Sequence, residues 1–100
     1  MRLILYSKPG CHLCEALQLK LEQVQNLPLD LEIRDITTQE DWFQAYQYEI
    51  PVLYAVRDLE PAAQRFTLTP LPRFSPRASV QQIEQVLQKF LGGNPKNEAE

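Results

Sequence analysis

The chain is poor in the residues from which metal and nucleic-acid sites are built. It has one histidine and two cysteines in 100 residues, whereas a structural zinc site needs four ligands, so no metal site is expected. Ten basic residues stand against thirteen acidic ones, for a net charge of −3. No basic stripe is available to neutralise phosphates, and no nucleic-acid partner is expected. No apolar run nears the roughly 20 residues that cross a bilayer, and no charged-then-apolar leader with a small-residue cleavage site opens the chain. The expectation is a protein without membrane contact, cytoplasmic in location. Two cysteines in that compartment are rarely a permanent staple and more often a catalytic or redox-sensing pair.

What is present suits one small domain. The hydrophobic fraction of 44% and charged fraction of 23% are ordinary for a globular protein. A chain of this size buries roughly 60 to 70% of its unfolded surface, so its core needs no metal or disulfide to hold it. Residues 1–92 read as the domain, and 93–100, apolar only at Ala99, as a disordered tail.

Arg2–Tyr6 is a short apolar run bounded by a turn, which predicts a strand buried on both faces. Pro9-Gly10 breaks it. From Cys11 the apolar residues Leu13, Leu17, Leu21 and Val24 recur at helical steps, and Asn26–Pro28 ends the helix. Leu31–Ile36 alternates, which predicts a strand with one face buried, at or near a sheet edge. Thr37 with Glu40, and Thr38 with Asp41, have capping-box spacing. They precede a short helix over Gln39–Tyr46 that turns Trp42, Phe43 and Tyr46 toward the sheet. Val52–Val56 reads as a third strand, Arg57–Gln64 as a hairpin loop and Arg65–Leu68 as the returning fourth strand. Thr69–Ala78, with Pro70, Pro72 and Pro76, can be neither regular helix nor central strand. Ser79 and Gln82 form another capping pair, and Val80, Ile83, Leu87 and Phe90 line one face of a last helix that Gly92-Gly93 stops. This β-α-β-α-β-β-α order predicts a three-layer α/β fold around a mixed four-stranded sheet. A right-handed parallel crossover comes first, then an antiparallel hairpin covered by the last helix.

Both cysteines fall where the first strand meets the first helix, in Tyr6-Ser7-Lys8-Pro9-Gly10-Cys11-His12-Leu13-Cys14. A Cys-x-x-Cys pair in that setting points to redox chemistry. Only a thiolate attacks a disulfide, and an ordinary thiol of pKa about 8.5 is only about 3% ionised at pH 7. At the helix start, Cys11 would face unpaired backbone N–H groups and the positive end of the helix dipole. Lys8, three residues upstream, and His12 when protonated would add positive charge. Cys14, one turn further in, is expected to be more buried and less acidic. These environments assign attack on a substrate disulfide to Cys11 and resolution of the mixed disulfide to Cys14. Pro51 is expected opposite the thiols, where a cis Ile50–Pro51 peptide would present the Ile50 N–H and C=O to an extended substrate. Arg65, Arg73 and Arg77 form a basic cluster near the proline-rich segment and are candidates for binding a carboxylate.

The stretch Tyr6–Cys14 resembles the active-site stretch of glutaredoxins, and Ile50-Pro51-Val52 resembles their cis-proline segment. The element order extends this resemblance over residues 2–91, and the Cys-His-Leu-Cys form is closest to small bacterial glutaredoxin-like proteins. The resemblance implies a thioredoxin fold and thiol–disulfide exchange, with Cys11 as nucleophile, Cys14 as resolving thiol and Pro51 as cis-proline. Lys8 would meet a glutathione carboxylate, and Leu13 would stand where an aromatic residue lies beside the tripeptide. The set read as substrate-binding is Lys8, His12, Leu13, Ile50 and Pro51. The chain departs from glutaredoxins in carrying His12-Leu13, not Pro-Tyr, between the cysteines. It also carries Thr69–Pro76, with no glycine, where they hold the γ-glutamyl group with a Gly-Gly pair. The expected partner is therefore a disulfide-containing protein or a small thiol adduct, with no cofactor, glutathione a doubtful co-substrate, and the chain monomeric. A reading of a different class is a non-catalytic binding module, or a carrier of an iron–sulfur cluster bridged between two chains through Cys11.

Overall fold

Leu3, Ile4, Leu5 and Tyr6 are all buried, none more than 4% exposed, which makes β1 (Arg2–Ser7) the central strand that its unbroken apolar run predicts. The computed structural model describes residues 1–60 and 65–92. After β1 come α1 (His12–Glu22), β2 (Asp30–Asp35), a single 3-10 turn (Ile36–Thr38), α2 (Glu40–Tyr46), β3 (Val52–Glu60), β4 (Arg65–Pro70) and α3 (Val80–Gly92). The sheet order is β2-β1-β3-β4. β2 runs parallel to β1, while β3 lies antiparallel to β1, and β4 to β3. This is the mixed four-stranded α/β arrangement that the element order predicts.

Alternation along β1 splits the core in two. Leu3 and Leu5 pair with Ala55 and Leu53 and face Leu21 of α1 and Ile83 and Leu87 of α3. Ile4 and Tyr6 face the other way, onto Ile36 and the Trp42, Phe43 and Tyr46 side chains of α2. Each fully buried Leu or Ile contributes roughly 1.5–3 kcal/mol, so the sheet holds helices on both faces and the fold has three layers.

The α2 layer is aromatic. The Tyr6 ring lies 4.3 Å from Tyr46 and 5.7 Å from Trp42, centroid to centroid. Its buried hydroxyl accepts a hydrogen bond of 3.1 Å from Arg34 Nη1, and the same guanidinium sits 5.2 Å from the Trp42 ring, a cation–π contact. Arg34 Nε donates to Glu32 at 2.6 Å. The Tyr46 hydroxyl donates to Tyr54 at 3.4 Å. That bond first, then burial, pushes the Tyr46 phenol above its usual value.

Several local expectations are corrected by longer-range contacts. β3 continues to Glu60, so Arg57–Glu60 are strand, not hairpin loop. Their ladder to β4 carries a register shift between Asp58 and Glu60. Residues 61–64 of the expected loop, like the expected tail at 93–100, lie outside the described residues. β4 runs on to Pro70, which an edge strand tolerates because one side of it needs no donor. The Thr37 and Thr38 capping boxes do not form. Asp35 takes both threonines, accepting from the Thr37 N–H at 2.9 Å and receiving the Thr38 hydroxyl on its carbonyl at 2.7 Å, so α2 starts at Glu40 behind Gln39, an N-cap residue whose side chain makes no capping hydrogen bond. The Ser79 box does form: the Ser79 N–H donates to Gln82 Oε1 at 2.8 Å, and the Gln82 N–H to Ser79 Oγ at 3.1 Å. α1 stops at Glu22, short of Val24, which packs on the core from outside the helix. On edge strand β2, Ile33 is 40% exposed, less buried than its alternation predicts. Among the described residues no helix is long and apolar enough to cross a membrane.

Ser79→Ala removes one half of the reciprocal cap and is expected to lower the unfolding free energy by about 1 kcal/mol in urea titrations. Glu32 carries a pH signature. The hydrogen bond from Arg34 holds its carboxyl below the usual range against the opposing effect of burial, so its contribution is present at neutral pH and lost on acidification. Glu32→Gln is expected to cost less than about 1 kcal/mol at pH 7, the pair being largely solvated. The difference from wild type should vanish as the pH falls below the ordinary carboxylate value of 4.5.

Candidate active site

Sheet register brings three connecting segments to one end of the molecule. The pairing of Tyr6 with Val52 sets Pro51 level with Ser7, where β1 ends. The pairing of Tyr54 with Pro70 returns β4 to the same end, and the Leu71 N–H then donates to the Leu53 carbonyl at 3.0 Å. The turn after β1, the chain entering β3 and the proline-rich segment after β4 therefore meet.

The turn is built for a cysteine. Gly10 has φ of +82°, a conformation that favours glycine, and the Cys11 N–H closes the turn on the Lys8 carbonyl at 3.2 Å. Cys11 is the N-cap of α1, with extended backbone, and its sulfur accepts the Cys14 N–H at 3.2 Å. A sulfur thus stands where a serine or aspartate oxygen usually satisfies the free N–H groups of a helix start. Cys11 and Cys14 form a disulfide, with Cα atoms 5.3 Å apart. Cys14 is 2% exposed, while Cys11 is only half-buried, so solvent and any partner reach the pair through Cys11.

The Ile50–Pro51 peptide is cis, as expected. The Ile50 N–H is not free to meet a substrate, however. It donates to the Tyr46 carbonyl at 3.1 Å, and the Glu49 N–H donates to the same oxygen at 2.8 Å. The last turn of α2 has taken the donor that an extended partner would have used.

Beside the disulfide lies a cleft of about 300 Å³. Leu13 and Leu17 of α1 form one wall. Pro51, Val52 and Leu53 form the floor, and Pro70–Phe74 with Pro76 form the other wall, with Glu49 also in the lining.

A family model for the glutaredoxin-like domain (DUF836) matches residues 2–88. The chain belongs to that family. Two solved structures share its fold. Target protein XcR50 from X. campestris is 23% identical, with 86% of this chain and 95% of that chain covered and a TM-score of 0.53. Thioredoxin 1 from the thermophilic eubacterium Thermosipho africanus TCF52B is 18% identical, with 91% and 94% covered and a TM-score of 0.57. No curated protein matches the chain in sequence. The fold is the thioredoxin fold.

Of the residues singled out from the sequence, this glutaredoxin-like domain brings Cys11, Cys14, Leu13 and Pro51 to one end. Leu13, 52% exposed, and Pro51 share the cleft. His12 does not: its side chain is 95% exposed, with Nδ1 3.8 Å from Glu15 Oε1. Lys8 is exposed on the turn, and neither it nor Ile50 lines the cleft. Leu17, whose helical spacing in the sequence reads as core, and Phe74, from the proline-rich segment, do line it. The one signal pointing to Phe74 is the run of prolines around it. Of the expected arginine cluster, Arg73 Nη1 donates to the Glu49 carbonyl at 2.6 Å, and the Arg65 side chain lies outside the described residues. Among the described residues no group of three or more His, Cys, Asp or Glu is placed to hold a metal ion.

The proline-rich wall is tied to α1 by Lys20, whose Nζ donates to the Pro76 carbonyl at 2.9 Å and to the Ala78 carbonyl at 2.7 Å. Lys20→Met is expected to cost up to about 1 kcal/mol. It should also speed amide exchange at Ala78, whose N–H bonds to the Ser75 carbonyl, while exchange in β1 is unchanged.

Proposed function

We propose that the protein is a dithiol oxidoreductase that reduces disulfides in a partner protein or a small thiol adduct. The reading is carried by one observation: the sulfur of Cys11, a residue only partly buried, caps α1 and is disulfide-bonded to a buried Cys14, one helical turn away. With the pair reduced, the Cys14 N–H and the positive end of the helix favour a thiolate on Cys11, and Lys8, with His12 when protonated, adds positive charge on the same turn. That thiolate attacks one sulfur of the substrate disulfide. The other substrate sulfur leaves as a thiol, and a Cys11–substrate mixed disulfide forms. Cys14, as thiolate, then attacks Cys11, releasing the second substrate thiol and closing the Cys11–Cys14 bond. Two electrons and two protons pass from the protein to the substrate, and an external dithiol, or two monothiols, restores the reduced pair.

Cys11→Ser is the decisive variant, because a serine oxygen keeps the helix cap while removing the nucleophile. It is expected to unfold at the urea concentration of the reduced wild type and to reduce a model disulfide at the uncatalysed rate; retention of wild-type activity would sink the proposal. Cys14→Ser should accumulate the mixed disulfide, visible by mass spectrometry. In that variant, alkylation of Cys11 should have its pH midpoint below the ordinary thiol value of about 8.5.

A further inference from the structure

The cleft beside the disulfide has a size, a lining and a fixity that together define an occupant. Its volume of about 300 Å³ is roughly twice that of an engineered apolar cavity of about 150 Å³ that binds benzene. It is large enough for a bulky side chain together with the backbone that bears it. Leucine, valine, proline and phenylalanine dominate its lining. The two charged residues that reach it, Glu49 and Arg73, are of opposite sign and adjacent, Arg73 donating to the Glu49 backbone. The cleft therefore offers no net charge to draw in a polyanionic thiol. Its far wall is anchored to α1 through Lys20 and to β3 through the Leu71–Leu53 hydrogen bond, so the space is present before anything binds.

The near wall is carried by the same helix that bears the reacting sulfurs. Leu13 lies between the two cysteines in sequence, half-exposed at the mouth, and Pro51 forms the floor. The backbone donor at Ile50 is engaged by Tyr46, which takes away one of the main-chain hydrogen bonds an extended partner would otherwise form.

We propose, resting on the oxidoreductase reading above, that this cleft selects the substrate: it takes a bulky apolar side chain adjacent to the half-cystine that Cys11 attacks. The substrate class is then a protein or peptide disulfide with leucine, isoleucine or phenylalanine beside the reacting cysteine. Selection works through burial of that side chain, and Leu13 and Phe74 are the specificity-determining residues. The exchange step is the one already written. The cleft changes only which disulfide is held for attack.

The test uses two peptides, each with one cysteine disulfide-linked to thionitrobenzoate and differing only in a leucine or an aspartate next to that cysteine. Release of the coloured thiol is followed with dithiothreitol as the reductant. The leucine peptide is expected to exceed the aspartate peptide in kcat/KM by at least about tenfold, chiefly through KM. Leu13→Ser and Phe74→Ala should each bring that ratio close to unity. Because the ratio is taken within one variant, a change in thiol reactivity cancels from it. Leu13 is half-exposed, so its variant remains informative if loss of Phe74 unfolds the loop. Equal kcat/KM for the two peptides in the wild type would overturn the selection role and leave the thiol chemistry standing. Failure to reduce either peptide, with Cys11→Ser no slower than wild type, would overturn both.

Discussion

Strand β1 is hydrogen-bonded along both edges and covered on both faces, so its end can shift only if both cores give way together. Everything at the reactive end is referred to that end. α1 begins there because Gly10 lets the chain turn within a few residues. Pro51 arrives there because β3 is held against β1 in a register that the side-chain alternation enforces. A slip of one residue would turn Leu53 and Ala55 away from the α1 and α3 side and put Val52 and Tyr54 in their place. The position of the cis-proline relative to the disulfide is therefore set by the cost of exposing the core, and no direct contact between the two is needed to maintain it.

How much of this was legible in the sequence depended on how local the cause was. The β1 run, the Pro9-Gly10 break and the Ser79–Gln82 box are decided within a few residues, and they stand as read. The Thr37 and Thr38 caps failed because Asp35, two and three residues upstream, competes for the same groups. The end of β3 was missed because the pairing that extends it comes from β4. At the site, the cysteines were legible from spacing alone, and Pro51 from its place in the element order. The engagement of the Ile50 N–H was not, since its acceptor is the carbonyl of Tyr46 at the end of a helix whose exact stop no pattern announces. Leu17 and Phe74 were hidden in another way: an apolar residue lining a cleft and one filling a core look identical in sequence.

The proline-rich segment illustrates how rigidity can be placed where glycine would give mobility. Pro70, Pro72 and Pro76 restrict the backbone before any contact forms, and Lys20 and Arg73 then pin what remains flexible. A wall made in this way loses little conformational entropy when a ligand arrives. The same residues that make the segment irregular make the space beside it persistent.

The cap of α1 has a consequence for the energetics of the whole chain. A capping group is ordinarily a permanent part of a helix, but here it is a sulfur whose charge changes with its bonding partner. In the disulfide it is a neutral, weak acceptor; freed as a thiolate it becomes a charged and stronger one, at the position where the helix backbone offers its unpaired donors. Electron uptake therefore strengthens the start of α1 while removing a cross-link of only three residues' separation. Helix stability and electron affinity are linked to the extent that the two sulfur states are held differently: a substitution that weakens the hold of the first turn of α1 on a Cys11 thiolate more than on the disulfide makes the dithiol a stronger reductant, and one that strengthens that hold selectively makes the disulfide a stronger oxidant.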